Sequence, residues 1–180
     1  TAAGNSGSSS WYYIIAPADA DSVISVGAVS ENDSIAAFSS HGPTSDGRTK
    51  PEVCARGQQT WCVNPNSNTN YSRLSGTSLA CPLVAGAAAL IIQSRPDWSA
   101  MEVREAIMMT ASNADYPDNN YGYGILNAGD AINYGTISIN DNADYLPSDF
   151  NLIKTYPNPF NPAMNIEIDV RPSSELKIDV

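Results

Sequence analysis

Histidine, basic side chains, cysteine and long apolar runs are all scarce in this sequence, and each scarcity excludes something. Nine lysines and arginines stand against 19 aspartates and glutamates in 180 residues, for a net charge of -10. A surface of that sign repels phosphate backbones and anionic headgroups within a Debye length of about 8 Å, so nucleic acid is not an expected partner. The longest nearly unbroken apolar stretch, Leu83 to Ile92, is about half of the roughly 20 residues a membrane span needs, so a soluble chain without membrane insertion is expected. The first residues, Thr1-Ala2-Ala3-Gly4-Asn5, have no leader-like pattern and read as the interior of a domain. Three cysteines permit one bridge; Cys54 and Cys62 would close a short loop worth roughly 2.5 kcal/mol, or else both remain thiols.

What is there reads as an α/β chain, with 42% hydrophobic residues, enough for a core. Val23 to Val29 is a short apolar run between polar segments, the pattern of a strand buried on both faces of a parallel sheet. Leu79 to Gln93 predicts a helix apolar all round and therefore fully buried, with Pro82 in its first turn, where a missing amide costs nothing. Ser99 and Glu102 form a capping box opening a second helix that presents Val103, Ala106, Ile107 and Thr110 at helical spacing. Tyr121 to Asn127, with two glycines for a tight path, leads into a short helix from Ala128 to Asn133.

Beyond that point the composition changes. Asn140 to Asp144 is acidic and aperiodic and reads as a linker. After the proline-rich stretch Tyr156 to Pro162, alternation of Ile166, Ile168 and Val170, and then of Leu176, Ile178 and Val180, predicts two half-buried strands. Two strands are too few for a stable β domain, so this unit too reads as truncated. The expected organisation is a domain over residues 1–135, a linker over 136–150 and a β-rich appendage over 151–180.

Chemistry concentrates at Gly76-Thr77-Ser78-Leu79-Ala80-Cys81-Pro82, which sets a serine at the start of the alanine-rich helix. Unpaired first-turn amides and the positive end of the helix dipole would stabilise negative charge developing beside Ser78, which suits acyl transfer. On local physics alone the plainer reading is favoured, that Ser78 or Thr77 merely caps the helix.

The wider pattern changes that balance. Gly76-Thr77-Ser78-x-Ala80-x-Pro82-x-Val84-Ala85-Gly86 resembles the nucleophile motif of the subtilisin-like serine peptidases, and Ala2-Ala3-Gly4-Asn5-x-Gly7 resembles their oxyanion-hole segment. Ser22-Val23-Ile24-x-Val26-Gly27-Ala28, Phe38-Ser39-Ser40-x-Gly42-Pro43 and Tyr121-Gly122-Tyr123-Gly124-x-Leu126-Asn127-Ala128 are similar to further family blocks, in the right order. The resemblance implies the C-terminal half of a subtilisin-like parallel-sheet domain with flanking helices, followed by a truncated β-sandwich-like segment. It also implies a serine endopeptidase that cleaves polypeptides through an acyl-enzyme. Ser78 would be the nucleophile, Asn5 and the Ser78 N–H the oxyanion donors, and Ala2, Ala3 and Gly4 the edge of the pocket for the residue before the scissile bond.

The family's aspartate and histidine motifs precede the Asn5 segment, so this chain alone is expected to be inactive. Its one histidine, His41, lies in a block with no catalytic histidine in the family and is expected to be a surface-loop residue; Asp19, Asp21 and Asp46 are expected to be solvated loop carboxylates. Leu83 and Arg56 stand where the family usually has histidine and proline. No cofactor is required, but several members hold a calcium or monovalent ion on backbone carbonyls of the loop before the Val23 strand. Here these fall around Ala18, Ala20 and Val23, and the alternative is an ordinary turn. Tyr156 to Pro162 resembles the opening of the C-terminal sorting domain of type IX secretion cargo. That implies secretion machinery as a partner and a secreted or cell-surface location in a Gram-negative-type bacterium, while a plain accessory domain is the alternative.

Two other classes compete. A non-catalytic peptidase-like shell that binds at the cell surface would have no chemical need for Asn5 and Ser78. An unrelated α/β hydrolase would want Gly-x-Ser-x-Gly, whose last place Ala80 fills.

Overall fold

A computed structural model describes residues 1–135 except 65 and 68, together with the backbone of 150–156 and 165–170. The chain divides into two units, Thr1–Thr136 and Ile137–Val180.

The first unit is built on a parallel sheet, as expected. β1 (Val26–Val29) pairs with β2 (Val53–Arg56) in register Val26↔Val53 to Val29↔Arg56. The ladder extends at both sides through single parallel bridges, Ala2 to Val26 and Cys54 to Ile125. Val26, Ala28 and Val53 are buried because helices cover the sheet, which is why β1 reads as a continuous apolar run rather than an alternating one.

α1 (Thr77–Ser94) lies against β1 and β2. Thr77, Ala80, Val84, Ala87 and Ile91, three and four residues apart, face the core. The expected all-round burial is not observed. Leu83, Leu90 and Ile92 remain 47%, 56% and 51% exposed, because the described residues cover the helix from one side only. By length and composition alone α1 is long and apolar enough to cross a membrane, which the shorter Leu83–Ile92 run did not suggest.

α2 (Ala100–Met109) opens on the expected capping box: the Ser99 hydroxyl accepts from Glu102 N, and Glu102 Oε2 accepts from Ser99 N at 2.6 Å. Val103, Ala106 and Ile107 are buried against α1 and α3 (Ala128–Ile132), whose N-cap is Asn127. Sequence pattern missed the antiparallel hairpin of β3 (Thr60–Val63) and β4 (Tyr71–Leu74). Its apolar residues do not alternate with polar ones against a core, and Trp61, Val63 and Tyr71 stay exposed, with Arg73 stacked 4.8 Å over the Trp61 ring.

Of the two readings of Cys54 and Cys62, the structure has the free thiols. Cys54 is sealed within β2, where burial pushes its thiol up to about 12, while Cys62 on β3 donates to Ser72 O. A parallel-sheet strand and a peripheral hairpin hold the two sulfurs apart.

In the second unit β5 (Phe150–Tyr156) pairs antiparallel with β6 (Asn165–Val170), with a register irregularity between Leu152 and Lys154. β6 falls where the first of the two strands is expected, over Ile166 to Val170; β5 is not among the expected elements. The linker residues 136–149, most of the Tyr156–Pro162 motif and the strand expected over Leu176–Val180 lie outside the described residues.

Candidate active site

Ser78 and Asn5 are separated by 73 positions in sequence and meet at the N-terminus of α1. The helix starts at Thr77 with Gly76 as its N-cap and no side-chain cap hydrogen bond, so neither hydroxyl is spent on capping. Thr77 turns instead to Asn5: its backbone N donates to Asn5 Oδ1 at 2.9 Å and its hydroxyl to the same oxygen at 3.0 Å. Thr77 Oγ1 in turn accepts from Gly4 N at 3.2 Å in a buried contact. With Oδ1 held by two donors, the amide of Asn5 is oriented and Nδ2 is left to point elsewhere.

Nδ2 lies beside Gly76. A Cβ on that residue would lie 3.1 Å from Ser78 Oγ, 3.5 Å from Asn5 Nδ2 and 3.8 Å from Ser78 N. One hydroxyl and two nitrogens that carry N–H groups thus lie within 4 Å of a single point beside Gly76. Ser78 and Asn5 are both exposed.

Ala2, Ala3 and Gly4 run from the sheet edge to this point; Ala3 N donates to Val26 O and Ala3 is fully buried. Gly4 adopts φ +112, and a side chain there would come within 2.9 Å of Ser40 Oγ and 3.1 Å of Ile15 Cγ1. An apolar cavity of about 380 Å³ between Ile24, Val84, Ala88 and Met101 contains none of these residues.

Comparison with known proteins gives this geometry a family. The model of the subtilase family matches residues 1–124. The chain belongs to the subtilase family. It is 47% identical over 127 residues to subtilisin DY of Bacillus licheniformis, covering 70% of this chain and 43% of that protein. It is 38% identical over 151 residues to the serine protease AprX of Bacillus subtilis, covering 73% of this chain and 34% of the relative. Among solved structures the self-cleaved protease domain of PatA superposes with a TM-score of 0.59 at 29% identity, over 73% of this chain and 47% of that one. This subtilase chain thus spans well under half the length of the curated relatives it matches.

The remaining titratable candidates take no part in the hydrogen bonds that join Gly4, Asn5 and Thr77. Asp19, Asp21 and Asp46 are exposed, Asp46 pairing with Arg48 Nε at 2.9 Å. His41 is not the surface residue expected: it is 8% exposed, stacked on Tyr12 with ring centroids 4.5 Å apart, and its Nδ1 is buried without a partner. Burial lowers its pKa from the ordinary 6.5, against the opposing pull of the Asn120 side chain and the Asp118 charge. The folded state then binds the proton less readily than the unfolded chain, so this stability is present above about pH 6.5 and lost as pH falls through the window below it. Melting temperature followed from about pH 7.5 to 5.5 should drop, and drop less in His41→Phe, which keeps the stacking. Equal slopes in both proteins would exclude His41 as the group responsible.

Proposed function

We propose that the protein carrying this chain is a serine endopeptidase that hydrolyses peptide bonds through an acyl-enzyme on Ser78. The reading rests on the closeness of Ser78 Oγ, Ser78 N and Asn5 Nδ2, all within 4 Å of one point beside Gly76. In the first half-reaction Ser78 Oγ bonds to the scissile carbonyl carbon and gives up its proton to a base. The oxyanion that forms accepts from Asn5 Nδ2 and Ser78 N, donors already oriented before substrate arrives, so little reorganisation opposes the step. The tetrahedral adduct collapses with departure of the amine, and water repeats the sequence on the acyl group. Ala2, Ala3 and Gly4 border the substrate residue before the cleaved bond.

A serine hydroxyl needs a base held by a carboxylate, and the family resemblance puts the motifs for both ahead of the Asn5 segment. No residue of this chain matches either motif, so triad activity is expected only where the rest of a subtilase domain supplies them. The family and the Tyr156–Pro162 motif both favour action on polypeptides outside the cytoplasm, with the C-terminal segment addressed to secretion machinery.

Labelling with a fluorophosphonate probe tests this reading. The intact protein should be modified stoichiometrically at Ser78, and the isolated chain of 180 residues hardly at all. A folded intact protein that takes up no label would instead support a binding shell without catalysis.

A further inference from the structure

The largest wholly buried side chain among the described residues is charged and takes no part in the proposed reaction. Lys50 is 1% exposed, and its Nζ donates to Ala20 O at 2.8 Å, to Val23 O at 3.4 Å and to Glu52 Oε1 at 2.6 Å. Glu52 is 2% exposed; Oε1 also accepts from Arg104 Nη2 at 2.9 Å and Oε2 from Ser25 N at 2.7 Å. Arg104 Nη2 reaches on to Asp21 O at 3.5 Å.

An ammonium has three donors, and here it has three oxygen acceptors: two backbone carbonyls of one loop and a buried carboxylate. That oxygen set is also what a hard cation selects. Two of its carbonyls, Ala20 and Val23, are among those the family resemblance marks for an ion. A second cation in this loop would have to share oxygens already bonded to Nζ, and two like charges that close inside a protein repel strongly. The residues present therefore do not fit an added ion.

We infer that the Lys50 ammonium takes the place of a bound cation in the loop before β1, and that removing it converts the oxygen cage into a potassium site. The size argument favours a large monovalent ion. The three oxygens lie 2.6 to 3.4 Å from the nitrogen, whereas calcium draws its oxygens to about 2.3–2.6 Å. A tethered cation cannot be diluted or chelated away, so the loop keeps its shape at any salt composition, while a free ion stabilises only in proportion to its concentration. The loop matters because it returns from Ile15, whose N donates to Ala3 O at 3.4 Å, behind the edge formed by Ala2 to Gly4.

The test compares the intact wild-type protein with Lys50→Ala and Lys50→Met in chloride salts of potassium and of tetramethylammonium at equal ionic strength. Taking the ammonium from the buried Glu52, which keeps Arg104 as its one remaining cationic partner among the described residues, should lower the melting temperature of Lys50→Ala by about 10 °C in tetramethylammonium. Potassium should recover a large part of that loss in Lys50→Ala, and neither in wild type nor in Lys50→Met, where a thioether side chain fills the cage. Should Lys50→Ala not fold without potassium, the yield of folded protein on refolding into each salt reads the same property. Failure of potassium to restore either stability or yield, or an equal response in Lys50→Met, overturns the inference.

Discussion

Ser78→Ala in the intact protein is expected to lower kcat by about 10⁶-fold, the size of loss a subtilisin suffers without its nucleophile, with KM changed by no more than a few-fold. That is roughly 8 kcal/mol of transition-state stabilisation removed by one oxygen atom. The two oxyanion donors and the pocket edge survive the substitution, since the Ser78 backbone N and Asn5 remain in place, so binding should persist. The hydroxyl makes no hydrogen bond among the described residues, and its loss should leave the melting temperature within about 1 °C. Steady-state hydrolysis of a peptide substrate, alongside thermal unfolding, checks both halves. A variant that kept a tenth of the parent activity would remove Ser78 from the chemistry.

Asn5→Ala should cost about 10²- to 10³-fold in kcat, the magnitude known for a single side-chain oxyanion donor in subtilisin. The contacts of Thr77 make a sharper experiment possible. Its hydroxyl donates to Asn5 Oδ1 and accepts from Gly4 N, so Thr77→Val should misorient the amide and lower kcat by about 10-fold, while Thr77→Ser restores it. Because Thr77 is a positioning residue acting through Asn5, Thr77→Val should cost little further in the Asn5→Ala background. Additive losses across that double-mutant cycle would mean that Thr77 supports the fold rather than the amide.

How much of this was legible beforehand depends on whether the cause is local. The capping box at Ser99 and Glu102 lies within one helical turn, and its bonds form as the sequence spells them. The apolar run at Val23 to Val29 names a buried strand, which forms over Val26–Val29, where both faces are covered. Lys50 and Glu52 defeat such reading: charged residues are ordinarily external, and only the fold brings the carbonyls of Ala20 and Val23 to receive the ammonium. The β3–β4 hairpin escaped because nothing on its exposed face obeys a core pattern. His41 was misplaced for the converse reason, a polar residue in a loop that folds back over Tyr12.

The site divides the same way. A serine before an alanine-rich helix is visible locally but equally suits a cap; it was the family motifs that tied it to Asn5. That Thr77 bonds the asparagine, and that Gly76 lies beside both Ser78 and Asn5, are facts of three-dimensional placement with no periodic signature.

The uncovered face of α1 carries a practical corollary. Burying a leucine or isoleucine side chain is worth about 1.5–3 kcal/mol, and Leu83, Leu90 and Ile92 forgo much of that while wet. Handled by itself, this polypeptide should be sticky: prone to self-association as concentration rises, and best kept dispersed by mild detergent or a chaperone until something greasy settles over that stripe.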